Sequence, residues 1–148
     1  MDQSAKGVTG EPFEVVVELG KIREFTAATW TRHPAFDAGR TSPPTFLTTA
    51  RFWQPAASDP WPAVKIDPQR SLLAEQEFIF HGPPPPAGTR LTARARIEDF
   101  FAKEGRRGGP MTFAVMVTEF RDADGRLVAE ARQTGVEVST TPERDGAA

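Results

Sequence analysis

The residues best suited to proton transfer lie in one short stretch, which holds one of the chain's two histidines. His33 and Asp37 are four residues apart, a spacing that places two side chains on one face of a helical turn. An imidazole beside a carboxylate can serve as a general base or a general acid. The stretch therefore has two interpretations: a His33/Asp37 proton-transfer pair, or a histidine that only forms hydrogen bonds in a loop, with Asp37 in solvent.

Other polar residues give weaker indications. His81 ends a strand pattern just before GPPPP, a place typical of structural or surface histidines. Lys103, Arg106 and Arg107 form a basic cluster at a predicted turn, which suits the phosphates of coenzyme A or of a phosphopantetheine carrier, although turn arginines are commonly only solvated. The sequence has no metal-ligand spacing, glycine-rich phosphate loop or nucleotide fingerprint, so we expect no bound cofactor.

Composition excludes several classes of function. The chain has 148 residues, a formal net charge of -2 and no cysteine, so disulfides and thiolate catalysis are excluded. Mixed acidic and basic residues give no electrostatic case for a nucleic-acid or membrane partner. The first residues lack the apolar core of a signal peptide. These features predict a cytoplasmic protein with one domain over residues 1–148, whose ends, 1–11 and 139–148, are loose tails.

Hydrophobic periodicity predicts one strand, two helices and then four strands. The predicted elements are a strand at 13–18, helices at 21–30 and 45–53, a proline-rich loop at 54–70, a strand at 72–81, a strand at 90–101, a polar turn at 103–110, a central strand at 111–120 and a last strand at 126–138. Helical spacing predicts core positions for Ile22, Phe25 and Trp30. Alternation along the strand at 72–81 predicts one face with Leu72, Ala74, Phe78 and Phe80, and DADG at 122–125 predicts a hairpin turn. The second helix would bury Phe46, Leu47, Ala50 and Trp53 under the curled sheet, which is an α+β arrangement.

Four motifs in this order resemble the MaoC-like dehydratase family, and more narrowly its N-terminal dehydratase domain type. They are GKIREF at 20–25, SPPTF at 42–46, LLAEQEFIFHGPPPPAGTRL at 72–91 and EFRDADGRLVAEAR at 119–132. The resemblance implies a hot-dog fold, in which an antiparallel sheet wraps around a central helix and the domains are usually paired. It also implies acyl-thioester substrates on coenzyme A or acyl carrier protein. The reaction it implies is reversible hydration of a trans-2-enoyl thioester to an (R)-3-hydroxyacyl thioester.

Catalytic members of that family carry Asp-x-Asn-Pro-x-His after the first helix. Aligned on Pro34, this motif places Thr31 at the aspartate, His33 at the asparagine and Phe36 at the histidine. Neither Thr31 nor Phe36 can exchange a proton usefully near neutral pH. The resemblance therefore implies binding of an acyl thioester without the usual catalytic pair. The residues predicted to bind substrate are Thr31, Arg32, Phe36, Pro44, Thr45, Arg106 and Arg107.

Three functional hypotheses follow. The leading one is a hot-dog subunit of an (R)-specific enoyl-thioester hydratase or 3-hydroxyacyl-thioester dehydratase of fatty-acid or related metabolism, in a homodimer or heterodimer, with a motif-bearing partner that supplies the base. The second is an independent enoyl-CoA hydratase that uses His33 and Asp37. The third is a module that binds acyl thioesters without chemistry.

Overall fold

A five-stranded antiparallel sheet forms the body of the protein in a computed structural model, which describes residues 1–105 and 109–139. The strand order is β1-β3-β4-β5-β2, so the predicted central place of the third long strand, β4, is confirmed. The strands are β1 (Phe13–Val16), β2 (Ser71–Phe80), β3 (Arg90–Gly105), β4 (Gly109–Arg121) and β5 (Leu127–Val138). Two α-helices, α1 (Leu19–Ala28) and α2 (Pro34–Asp37), precede the long strands.

The inner face of the sheet follows the alternation of apolar residues along β3. Leu91, Ala93, Ala95 and Ile97 are buried, as the period of two predicts. Leu91 and Ala93 pack with β1, α1 and the central segment, which we define as Phe46–Phe52, whereas Ile97 belongs to a second cluster. Most of the core therefore lies between the sheet and this segment.

The central segment is a 3-10 helix and not the predicted α-helix at 45–53. Three of the four predicted core residues are buried, since Phe46, Leu47 and Ala50 are at most 5% exposed, whereas Trp53 follows the segment and is half-buried. A 3-10 helix aligns residues three apart, and the buried hydroxyl of Thr49 donates a hydrogen bond to the Phe46 carbonyl at 2.8 Å. Two adjacent threonines, Thr48 and Thr49, have low helix propensity, which favours this tighter winding over a regular α-helix.

Helix α1 buries Ile22 as predicted, but Trp30 does not join the core. The helix ends at Ala28, and Trp30 has a φ of 54° and is 84% exposed. The Thr31 N–H donates to the Thr26 carbonyl at 3.0 Å and reverses the chain at this point. The predicted core position was wrong because the helix stops before the periodicity does.

Strand β2 forms one edge of the sheet and pairs on one side with β5. Leu72, predicted to face inward, is 73% exposed, and Leu73 is 61% exposed. The pairing with β5 shifts between Leu73 and Glu75, and this bulge changes the inward and outward alternation of the strand. Phe78 and Phe80, beyond the bulge, pack against the core as predicted.

The N-terminal segment, 1–11, is packed and not the predicted loose tail. The Asp2 N–H donates to the Val64 carbonyl at 2.7 Å, and the Gly10 N–H donates to the Ala95 carbonyl at 2.9 Å. Ala5 is 3% exposed and belongs to a second core cluster with Val64. The polar composition of this segment predicts an unstructured tail, but backbone hydrogen bonds to β3 and burial of small apolar side chains fix it against the sheet.

The connections differ from prediction in detail. Strands β3 and β4 extend into the predicted polar turn at 103–110, because β3 continues to Gly105 and β4 begins at Gly109; 106–108 lies outside the described residues. The proline-rich loop contains two 3-10 turns, Ala56–Ser58 and Trp61–Val64. Of the predicted C-terminal tail, 140–148 lies outside the described residues. Within the described part of the chain, no helix has the length and apolar character needed to cross a membrane.

Candidate functional site

The loop after α1 is shaped by His33, which caps α2. Its Nδ1 accepts a hydrogen bond from the Ala35 N–H at 3.1 Å, the role of an N-cap side chain. Pro34 follows at the first helical position, where a missing N–H has no cost. The imidazole lies 5.2 Å from the Phe36 ring, centroid to centroid. One nitrogen of this histidine is therefore engaged in holding the loop.

Asp37 does not pair with His33 through its side chain. Among the described residues, no hydrogen bond or ion pair joins the His33 imidazole to the Asp37 carboxylate. Their link is a backbone hydrogen bond from the Asp37 N–H to the His33 carbonyl at 3.3 Å. The Asp37 carbonyl in turn accepts from Nε and Nη2 of Arg23, at 3.2 and 2.9 Å. These contacts are those of a structural turn.

Two of the predicted binding residues line one open groove of about 520 Å³ beside α1. Thr31 and Arg32 form part of its wall, together with Arg23, Trp30 and Asp37. All five side chains are exposed. The structure thus brings cationic, hydroxyl and aromatic groups together at the end of α1.

The remaining predicted binding residues lie apart from that groove. Phe36 is half-buried and packs against the main core. Pro44 and Thr45 are exposed at the start of the central segment, and in the described structure neither forms a side-chain hydrogen bond with the 31–37 loop. Arg106 and Arg107 lie outside the described residues.

A second cavity, of about 190 Å³, lies between the central segment and the inner face of the sheet. Apolar groups cover part of its wall, among them Leu47, Phe78, Met116 and Phe120. Polar groups interrupt this wall; they are Thr48, Arg51, Gln54, Asp59, Gln76, Thr118 and Gln133. Such a mixture of apolar walls and a few polar groups is typical of small-molecule sites.

Sequence reasoning missed this cavity, although the sequence carried a signal for it. Gln76 on β2 and Gln133 on β5 are register partners, and both line the cavity. Each interrupts an inward row that is otherwise apolar, with Phe78 on one strand and Ala131 on the other. A pair of amides in such rows predicts a wetted cavity in place of dry packing.

Charged residues gather on the opposite face of the sheet. Glu119 accepts hydrogen bonds from Nη2 of Arg121 at 2.6 Å and from Nη1 of Arg96 at 2.9 Å. The hydrogen bond from Arg121, with the nearby charges, holds the pKa of Glu119 below its usual value. A carboxylate kept ionised in this way is unsuited to general-acid work. In the residues that the structure describes, no group of three or more potential ligands could hold a metal ion.

Comparison with known proteins agrees with this architecture. A family model described as "FAS1-like, dehydratase domain region" matches residues 4–131. A search of curated proteins finds no significant match.

Solved structures extend the comparison. A chain of the C-terminally truncated HadBC (3R-hydroxyacyl-ACP dehydratase) complex from Mycobacterium tuberculosis is 28% identical, with a TM-score of 0.66 over 92% of this chain and 98% of that chain. A chain of the ChsH1-ChsH2 complex from the same organism is 17% identical, with a TM-score of 0.67 over 95% and 89%. A MaoC-like dehydratase from Phytophthora capsici is 16% identical, with a TM-score of 0.74 over 99% of this chain and 54% of that protein. The predicted hot-dog fold and MaoC-like relationship are confirmed.

Proposed function

We propose that this chain, which belongs to the FAS1-like dehydratase domain family, is a subunit of an (R)-specific enoyl-thioester hydratase or 3-hydroxyacyl-thioester dehydratase. In this proposal it binds and positions the acyl thioester, while a second, motif-bearing hot-dog chain supplies the general base. The assembly would act in the cytoplasm, in fatty-acid or related acyl metabolism.

The observation that carries the proposal is a loop in which the positions of the motif aspartate and the motif histidine hold no proton-transfer group. Pro34 begins α2 in the place that the family motif gives its proline. Thr31 stands where an aspartate is needed, and its hydroxyl accepts from Thr29 Oγ1 at 3.0 Å. Phe36 stands where a histidine is needed and packs on the core. A loop that lacks the motif's proton-transfer pair, and whose one histidine caps α2, fits a subunit that relies on another chain for the chemistry.

The free edge of the sheet supports a partner chain. Strand β2 has no neighbour on its outer side in the described structure, and it exposes Leu72 and Leu73 there. An exposed apolar edge strand favours pairing with another chain. The cavity below the central segment reaches this strand through Gln76 and Phe78, so a partner at the edge could close it. The HadBC and ChsH1-ChsH2 relatives are themselves complexes.

The test is reconstitution of activity. The chain would be purified alone and also co-expressed with a motif-bearing hot-dog chain, and hydration of a short trans-2-enoyl-CoA would be followed by loss of the enoyl absorbance. We expect no turnover from the chain alone and clear turnover from the complex. Turnover by the chain alone that His33→Ala abolishes would favour the independent hydratase. Acyl-thioester binding with no turnover beside any motif-bearing partner would favour the binding module.

A matched pair of variants tests the edge. Leu72→Lys places a charge on the exposed edge of β2, while Val8→Lys places the same charge on another exposed apolar residue. We expect the first variant to remain folded but to lose co-purification with the partner, and the second to retain it. If both variants co-purify equally well with the partner chain, the contact between the two chains does not involve the edge of β2 at Leu72.

A further inference from the structure

The left-handed conformation of Trp30 belongs to the cap that ends α1, in which the Thr31 N–H donates to the Thr26 carbonyl and the Trp30 N–H donates to the Ala27 carbonyl. Its φ of 54° lies in the left-handed region, which costs a non-glycine residue roughly 1–2 kcal/mol. Burial of the ring could offset this cost, yet the residue is 84% exposed. The cap accounts for the backbone, but a glycine would serve it without this cost, so the exposed indole ring points to a role outside the fold.

Two arginines flank this ring in the groove beside α1. Arg32 forms no hydrogen bond or ion pair in the described part of the chain, and its side chain is exposed. Arg23 donates to a backbone carbonyl, that of Asp37, and so carries a charge that no carboxylate at hydrogen-bond distance neutralises. The groove is thus cationic on a chain whose formal net charge is -2. Asp37 is the one acidic residue among its lining residues in the described structure.

We propose that this groove binds the adenosine phosphate end of coenzyme A. The adenine would stack on Trp30, and the phosphates would accept hydrogen bonds from Arg23 and Arg32. Stacking on an aromatic ring contributes about 1–3 kcal/mol per base, and arginine is suited to phosphate recognition. The groove volume of about 520 Å³ fits a small-molecule ligand. The assignment rests on the proposed function for its choice of an acyl-thioester carrier.

The groove also explains why one aromatic and two cations occur together. A purely electrostatic surface for an acidic partner would need no exposed aromatic ring. A purely apolar docking face would exclude two guanidinium groups that have no carboxylate partner within the described chain. A ligand that is both planar and anionic, as the nucleotide of coenzyme A is, uses all three side chains.

The first experiment is a fluorescence titration of the full chain with coenzyme A, with adenosine 3′,5′-bisphosphate and with pantetheine. We expect the two nucleotides to quench the fluorescence of Trp30 and pantetheine to leave it unchanged. Trp30→Phe should remove the quenching, since Trp53 and Trp61 are half-buried elsewhere, while calorimetry still detects binding. Absence of quenching and of calorimetric binding by both nucleotides would overturn the proposal, as would binding confined to a phosphopantetheinylated carrier protein.

A matched pair of arginine variants measures how much the groove arginine contributes to coenzyme A affinity. Arg32→Gln removes one charge-assisted contact and should weaken the Kd for coenzyme A roughly tenfold. Arg40→Gln removes a charge from an exposed arginine of the same loop that does not line the groove, and should leave the Kd unchanged. Equal effects of the two variants would mean nonspecific charge attraction and would contradict the site.

The reconstituted complex separates this proposal from the proposed function. Arg32→Gln should raise KM for an enoyl-CoA about tenfold and leave kcat and the KM for the matching enoyl-pantetheine unchanged. Nucleotide binding without turnover beside any partner would support the groove and contradict the proposed function. Turnover with no change of KM in Arg32→Gln or Trp30→Ala would contradict the groove and leave the proposed function in place.

Discussion

Phe46 and Phe52 stand at the two ends of the central segment, and replacing each by alanine tests whether this segment is the core element around which the sheet packs. Phe46 is 0% exposed and its ring meets that of Phe25 edge to face, with 5.7 Å between centroids and an angle of 84°. Phe52 is 74% exposed, and its ring lies 5.7 Å from Nζ of Lys21. The same substitution therefore removes a core contact in one case and a surface contact in the other.

The expected losses of unfolding free energy differ severalfold. Phe46→Ala removes a buried ring and leaves a cavity, which costs about 3–5 kcal/mol. Within that figure, the aromatic pair with Phe25 accounts for about 0.5–1.5 kcal/mol. Phe52→Ala removes an exposed ring and one cation–π contact, which costs at most about 1 kcal/mol. At about 2–4 °C per kcal/mol for a chain of this size, Phe46→Ala should lower Tm by about 6–20 °C.

The assay is urea unfolding of both variants, followed by circular dichroism and by tryptophan fluorescence, with thermal melts of the same samples. We expect the urea midpoint of Phe46→Ala to fall far more than that of Phe52→Ala. Similar shifts for the two variants would refute the assignment of the central segment to the core.

Three further predictions test local features. Gly10→Ala should lower the free energy of unfolding by about 1–3 kcal/mol, because its Cβ would lie 2.1 Å from the Ser58 carbonyl oxygen. Gly20→Ala, which has free space around it in α1, should be neutral or stabilising, so equal urea midpoints for the two variants would contradict the packed N-terminal segment. Hydrogen bonds from Ser4 and the Lys65 ammonium lower the pKa of Asp2 from 3.8 to about 2. Asp2→Asn should therefore be less stable than the unchanged protein above about pH 4, and this difference in unfolding free energy should disappear as pH falls toward 2. Urea unfolding across that pH range measures the difference, and a difference that does not change with pH would refute the prediction. His33→Ala should cost about 1 kcal/mol through loss of the α2 cap, and His33→Asn should recover most of it; thermal melts in which the two variants coincide would argue against the cap.

The fold could be predicted from the sequence wherever periodicity and burial agree. Leu91, Ala93, Ala95 and Ile97 alternate without interruption, and the structure buries all of them. The DADG turn was likewise predicted, and the Asp122 N–H donates to the Arg126 carbonyl at 3.0 Å across it.

Prediction was wrong where a local geometry overrode the period. Trp30 continues the helical pattern of α1, but the helix ends two residues earlier and the left-handed turn directs the ring outward. Leu72 continues the inward row of β2, but the bulge before Glu75 displaces it. Residues 1–11 look unstructured by composition, yet backbone hydrogen bonds to β3 need no particular side chains.

The sequence allowed the loop of the candidate site to be predicted, but not the position of the cavity. The order of Thr31, His33 and Phe36 around Pro34 is visible in the sequence because it is local. The cavity joins residues from the central segment, β2, β4 and β5, and its position depends on strand register. Register is a long-range property that one sequence specifies only weakly.

Variants of the reconstituted complex would reveal which of the two chains carries the general base. Hydration of a trans-2-enoyl-CoA would be measured with His33→Ala and Asp37→Asn in this chain, and separately with the motif histidine of the partner chain replaced by alanine. We expect kcat to be retained in the first two complexes and to fall by a factor of about 10² or more in the third. A comparable loss in His33→Ala, with kcat retained when the partner's motif is changed, would contradict this expectation.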